Sequence, residues 1–202
     1  MNYIAVDTSG KNLTLIVKNN GKIYEFYDKD CGVHHSERLM VELEKLLESA
    51  DMKLSDADFF ACVVGAGSFT GIRIGVATVK ALAFANKKPV LKITSFDTIA
   101  YNIDSGKVLA ILDAKHGGYY ICAYVDGACG APEFASKDRI DEYTSRGYRL
   151  LSGEEIDGIP TFTVSVKDGF VAAIDKKVNG INCDVNSLTP LYVRKSQAEE
   201  GR

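Results

Sequence analysis

Three groups of residues in this chain have types and spacings that could do chemistry. The first is Gly65-Ala66-Gly67-Ser68-Phe69-Thr70-Gly71, a glycine-rich bend between an apolar run and a helical pattern. At such a junction backbone N–H groups and the helix dipole can hold a phosphate, and Gly65, Gly67, Ser68 and Thr70 are the candidates here. Two specific fingerprints fail. The dinucleotide pattern needs a third small residue where Thr70 stands, and a P-loop needs a Gly-Lys-Ser/Thr ending. The preferred reading is that these glycines let the chain turn sharply and bring the helix close to the strand. The second group is Asp7 and Asp113, each ending an apolar strand pattern before a glycine-bearing turn. Facing a shared cleft, they would order a magnesium–nucleotide complex, as in a small kinase or acyltransferase. The alternative is that each satisfies the amides of its own turn. The third group is the histidines. His34 and His35 diverge by about 100° on a helix, so they cannot both ligate one metal locally. His116 is distant, and no Cys or carboxylate cluster completes a zinc set. They read as polar surface or interface residues. Ser68 lacks the G-x-S-x-G elbow of a hydrolase nucleophile.

The elements that must position these residues follow from periodicity. Ile4–Val6, Leu13–Val17 and Ile23–Tyr27 read as an antiparallel meander, its hairpin closed by Asn19-Asn20-Gly21. A helix follows near residues 36 to 49, with Ser36 as N-cap and Leu39, Met40, Leu43, Leu46 and Leu47 on one face. Phe59–Val64 is a buried strand. The helix after the glycine bend, roughly residues 71 to 86, carries only Arg73 and Lys80 as charges between Gly71 and Ala85. Ile72, Ile74, Val76, Ala77, Val79, Leu82 and Phe84 surround it. A helix apolar on every side requires cover on more than one side. The expected cover is a second subunit, with the carboxy-terminal half of the same chain as the alternative. The interface residues expected are Leu39, Met40, Leu43, Leu47, Ile72, Gly75, Val76, Val79, Leu82 and Ala83. Pro89–Ile93 adds a strand and Ser95–Tyr101 a short helix.

The second half repeats the plan weakly. Val108–Leu112 leads to Asp113 and a glycine turn, and Tyr119–Val125 returns. Two related α/β halves are expected, 1–102 and a smaller 103–202, each with a mixed sheet. From Asp126 onward periodicity is poor until a short helix at Phe170–Lys176.

Composition narrows the function. Hydrophobic residues make up 46% and charged residues 25% of the 202, which excludes extended disorder. Lys plus Arg number 24 against 27 Asp plus Glu, a formal charge of −3. A dedicated nucleic-acid grip would show a basic excess and aromatic-basic interleaving, and neither is visible. The start has no basic n-region, no run approaches a membrane span, and five cysteines without a C-x-x-C pair suit a reduced, cytoplasmic setting.

The segment Gly65-Ala66-Gly67-Ser68-Phe69-Thr70-Gly71-Ile72-Arg73-Ile74-Gly75-Val76-Ala77 resembles the signature of the TsaB (YeaZ) family. Ile4–Ser9, His35–Leu39, Asp113–Gly117 and the tail Pro190–Arg194 stand in family order, so the resemblance spans nearly the whole chain. It implies a duplicated actin-like, sugar-kinase-like (ribonuclease H-like) fold with a reduced second lobe. It further implies a non-catalytic subunit of the machinery that installs threonylcarbamoyladenosine on tRNAs reading codons that start with A. The implied partners are a catalytic TsaD-like subunit and a TsaE-like ATPase, with a homodimer when alone and tRNA met only through the complex. No cofactor is expected on this chain, ATP and metal being expected on the partners. The metal-holding histidines of the catalytic relative lie four apart on a helix, so adjacent His34 and His35 do not carry that site over. Where the family commonly has Pro, this chain has Ala66, which should alter only turn rigidity.

Overall fold

The Asn-Gly hairpin forms as expected: Asn20 and Gly21 take φ of 49° and 83°, which a two-residue primed turn demands. It joins β2 (Leu13–Asn19) to β3 (Lys22–Asp28), and β1 (Tyr3–Asp7) pairs antiparallel with β2. β4 (Phe59–Val63) and β5 (Val90–Ile93) add on parallel to give the order β3-β2-β1-β4-β5. The computed structural model describes residues 1–115 and 117–194, so His116 lies outside the described residues. Two units result. The first comprises Met1–Ile93 and Lys176–Leu191.

In this unit the period of two sets one sheet face. Ile4, Val6, Leu13, Leu15, Val17, Phe60, Cys62 and Val64 share one core cluster with the two long helices. α1 (His35–Ser49) packs on β2 and β3, and α2 (Phe69–Asn86) packs on β4, β1 and β5. The boundaries differ from expectation for local reasons. A 3-10 turn at Gly32–His34 runs directly into α1, so Ser36 is not its cap. α2 begins two residues early because Ser68 supplies the cap, its Oγ accepting from the Gly71 N–H at 3.2 Å.

The second unit, Thr94–Asp175 with Tyr192 onward, holds α3 (Ser95–Ala100), β6 (Lys107–Asp113), β7 (Tyr119–Val125), β8 (Ala128–Cys129), β9 (Glu133–Ala135), α4 (Lys137–Ser145), β10 (Arg149–Ser152), β11 (Phe162–Thr163) and most of α5 (Val166–Lys177). β6, β7 and β8 are antiparallel neighbours, while β10 and β11 join β6 in parallel. With β6 in the place of β1, the strand order repeats that of the first unit, so the duplication read from the sequence is a duplication of topology. The second half is richer in elements than its periodicity suggested. α4 hides from a pattern search because it buries Ile140 alone, and β10 has only four residues. α5 starts at Val166, four residues before the expected helix. α3 packs on β6, β7 and β10 and so belongs to the second unit. Asn182 bridges to Val90 and the Leu191 N–H donates to Val64 at 2.8 Å, which returns residues 176–191 to the first. Among the described residues no helix is long and apolar enough to cross a membrane.

Candidate functional site

The glycine-rich loop leaves β4 and meets the turn that leaves β1. Asp7, the last residue of β1, accepts from the Ser9 N–H at 2.8 Å and the Ser9 hydroxyl at 2.7 Å. Ser9 in turn presents its carbonyl to the Ser68 N–H at 2.7 Å, and Thr8 Oγ1 donates to the Gly71 carbonyl at 2.7 Å. The glycines make this contact possible. A Cβ at Gly67 would run into the Ser9 carbonyl, one at Gly71 into the Thr8 carbonyl, and one at Gly75 would stand 2.5 Å from Thr8 Oγ1. Gly67 also holds a φ of 149°, where other residues are strained. Of the four phosphate candidates, Ser68 therefore spends both its amide and its hydroxyl inside the loop and Gly67 sits against Ser9. Thr70 is exposed, and a Cβ at Gly65 would meet the Leu191 carbonyl at 2.7 Å. Close backbone packing accounts for the pattern.

Burial raises the Asp7 carboxyl above its ordinary range, while the Ser9 bonds and the charge of His35 oppose that shift. Burial and the neighbouring Asp7 likewise push the Cys62 thiol well up, which leaves it a small hydrophobe. Asp113, in the other unit, accepts from the Lys115 N–H at 2.7 Å and pairs with Lys115 Nζ at 2.8 Å. Each aspartate thus binds the residue two places on in its own turn, the plainer of the two sequence readings. His34 is exposed and pairs with Glu37 at 3.0 Å. His35 is not a surface residue: it is 4% exposed, and its Nε2 lies 3.1 Å from the Asn12 carbonyl. Among the described residues no group of three or more His, Cys, Asp or Glu is arranged to hold a metal.

The second candidate is the outward side of α1 and α2. Here the structure corrects the expected interface. Leu39, Leu43, Ile72, Gly75, Val76, Val79 and Ala83 are buried against the sheet of their own unit and present nothing outward. Met40 is 47% exposed, and Leu47 and Leu82 are half-buried, so only these three of the expected set reach the surface. The outward face of α2 instead displays Ala77, Ala81, Ala85 and Phe84, the last 75% exposed, with Ile74 and Thr78 half-buried at its edges. The sequence held a signal for this orientation. Gly71 and Gly75, one turn apart, mark the side that approaches β1, and Arg73, Ala77 and Ala81 lie on the opposite side. Beside α1, Met40, Leu47, Met52 and Leu54 line a groove of about 780 Å³ rimmed by Glu44, Glu48, Asp51 and Asp56.

Against known proteins, the family model described as TsaD: tRNA N6-adenosine threonylcarbamoyltransferase matches residues 28–144. The tRNA threonylcarbamoyladenosine biosynthesis protein TsaB of Bacillus subtilis is 32% identical over 126 residues, covering 61% of this chain and 55% of that protein. TsaB of Escherichia coli is 27% identical over 128 residues with the same two coverages, 61% and 55%. The chain therefore spans about half the length of these curated relatives. Two solved structures share the fold. One is a Pseudomonas aeruginosa protein described as similar to peptidase YEAZ (TM-score 0.77, 23% identity, 96% of this chain and 99% of that one). The other is YeaZ from Pseudomonas aeruginosa (TM-score 0.73, 22% identity, 95% and 99%). Since the family model runs from the end of β3 into α4, over more than half of the residues, the chain belongs to the TsaD family, and the curated relatives it matches above are TsaB proteins.

Proposed function

We propose that this chain is a non-catalytic subunit of the machinery that installs threonylcarbamoyladenosine on tRNA, and that it works by docking on a TsaD-like catalytic subunit. A TsaE-like ATPase joins that pair, and the chain pairs with itself when alone. The observation that carries this reading is the outward face of α2. Its inward face already fills the core, yet Ala77, Ala81, Ala85 and Phe84 remain outside. Small side chains at Ala77 and Ala81 let a second helix approach closely, while Met40, Leu47 and Phe84 supply the apolar rim. Burying about 400 Å² of such surface is worth about 10 kcal/mol before the costs of association. The engaged amides and hydroxyls around Asp7 support a structural role for the glycine loop, and the names of the TsaB relatives support the pathway.

The test is Ala77→Glu combined with Ala81→Glu, since neither residue contributes to the core. The variant should keep the wild-type circular dichroism, sediment as a monomer, and fail to co-purify with the TsaD-like subunit of its organism. Omitting the chain from a reconstituted tRNA modification assay should abolish product. A folded double variant that still associates would overturn the assignment of the face. Micromolar binding of ATP–magnesium by the isolated chain would favour a kinase or acyltransferase built on Asp7 and the loop.

A further inference from the structure

The groove beside α1 combines an apolar floor with an acidic rim. Met40 and Leu47, two turns apart on α1, share the floor with Leu54 from the turn that follows the helix. Glu44, Glu48, Asp51 and Asp56 stand around it, all exposed. Asp56 is engaged in its own turn, where it accepts from the Lys53 N–H at 2.9 Å. Among the described residues, Glu44, Glu48 and Asp51 make no ion pair and no side-chain hydrogen bond. The cations of α1 lie on the other side of the helix, where Arg38 pairs with Asp28 and Glu42, and Lys45 with Glu42.

This placement works against the helix itself. Glu44 and Glu48 are four residues apart, the spacing at which like charges repel on a helix. Glu48 and Asp51 add negative charge at the carboxyl end of α1, where the helix dipole is already negative and no basic residue lies in the last turn. Lysine at these positions would stabilise the isolated chain. A cation from outside would relieve both conflicts, while the apolar floor asks for an apolar group beside it. Nucleic acid is repelled by the rim, and a second copy presenting its own α1 would double the like charge. A metal ion or a polyamine would leave Met40, Leu47 and Leu54 uncovered.

We propose that this groove receives a cationic amphipathic helix of a partner protein. Its apolar residues lie on Met40, Leu47 and Leu54, and its Lys or Arg residues face Glu44, Glu48 and Asp51. From Met40 to Glu48 α1 runs about 12 Å, which matches anchors at i, i+4 and i+7 on the incoming helix. Methionine at the contact adapts its shape to such a ligand. The inference goes beyond the function proposed above, since it uses neither Ala77 nor Ala81 and holds whether or not the α2 face pairs.

Fluorescence polarisation of the full chain with a labelled helical peptide of about 18 residues, Leu along one face and Lys elsewhere, tests this. Micromolar binding is expected. The same peptide with Glu for Lys, and a scrambled peptide of the same composition, should each bind about tenfold more weakly or worse. Affinity should fall several-fold between about 0.01 M and about 0.15 M salt, as the Debye length shrinks from about 30 Å to about 8 Å. Glu44→Lys with Glu48→Lys should weaken binding about tenfold and let the Leu/Glu peptide bind instead. Leu54→Ser, with unchanged circular dichroism, should also weaken it about tenfold. Asp141→Lys with Asp157→Lys, which reverses two exposed charges of the second unit, should change nothing. Ala77→Glu with Ala81→Glu should bind the peptide as the wild type does, so the two readings fail separately. Absent binding by the wild type, equal affinity for the scrambled peptide, or equal losses from the two charge reversals would each overturn the proposal. So would loss of peptide binding in the α2 variant.

Discussion

The contact between Thr8 and α2 can be tested by a double-mutant cycle. Gly75 lies in the middle of α2, where Gly→Ala alone should stabilise by about 1 kcal/mol through helix propensity. The structure reverses that sign. A Cβ at Gly75 would sit 2.5 Å from Thr8 Oγ1, where 3.4 Å is ordinary contact, so Thr8 must yield by 0.9 Å. Thr8 is fully buried and its hydroxyl is committed to the Gly71 carbonyl at 2.7 Å. Rotating it away sacrifices that bond, at a cost of about 1 kcal/mol, and the remaining crowding adds about 2 kcal/mol. Gly75→Ala should therefore destabilise by about 2 kcal/mol, a fall of roughly 4–8 °C in melting temperature for a chain of this size. In a Thr8→Ala background the obstructing oxygen is gone, and the same substitution should stabilise by about 1 kcal/mol. The coupling is then about 3 kcal/mol, measurable by urea unfolding followed by circular dichroism. If Gly75→Ala has the same effect in both backgrounds, Thr8 is not what requires glycine at this position, and the close-approach account of the loop fails.

Three further outcomes follow from buried polar groups. Burial raises Asp7 above its usual 3.8, so its ionised form is disfavoured in the fold. Its contribution to stability is present in full below the ordinary value and is lost as pH rises through the raised one. Asp7→Asn, which keeps an oxygen for the Ser9 N–H, should melt higher than wild type at pH 7, and the gap should close on acidification toward pH 4. A gap that is constant with pH would refute the charge argument. In the second unit the Tyr124 hydroxyl donates to Asp97 Oδ1 at 2.8 Å, while Asp97 Oδ2 holds the Thr94 N–H and hydroxyl, each at 2.7 Å. Tyr124→Phe should cost about 2 kcal/mol by chemical denaturation. Spectrophotometric titration should show the nearby Tyr101 ionising only at about 12, its phenol held up by burial and by the Asp97 charge.

How much could be read in advance depended on how locally each feature is encoded. The hairpin at Asn20-Gly21 was legible because positive φ at two consecutive residues is a demand that few residue types meet. The two strand-end aspartates and the glycine loop between β4 and α2 were legible for the same reason, each belonging to one stretch of chain. The repeat was visible at β1 and β6 but faded afterwards, because α4 and β10 bury too few residues to set a period. His35 looked like a surface residue because its partner, the Asn12 carbonyl, lies 23 positions away in sequence.

By itself, the sequence determined the element types of the first half, the tight turn chemistry and the family resemblance. Backbone dihedral preference and short-range periodicity act within a few residues, and a motif of contiguous residues carries its own signature. Which side of α2 faces the core, and therefore which apolar residues are free to meet a partner, was decided only when Gly71 and Gly75 met Thr8. The register of β6, β10 and β11 likewise exists only in the folded sheet, where Val108 meets Arg149 and Leu151 meets both Ala110 and Phe162. A helix apolar all round has no preferred orientation of its own, and strands far apart in the chain have no register until they pair; packing supplies both.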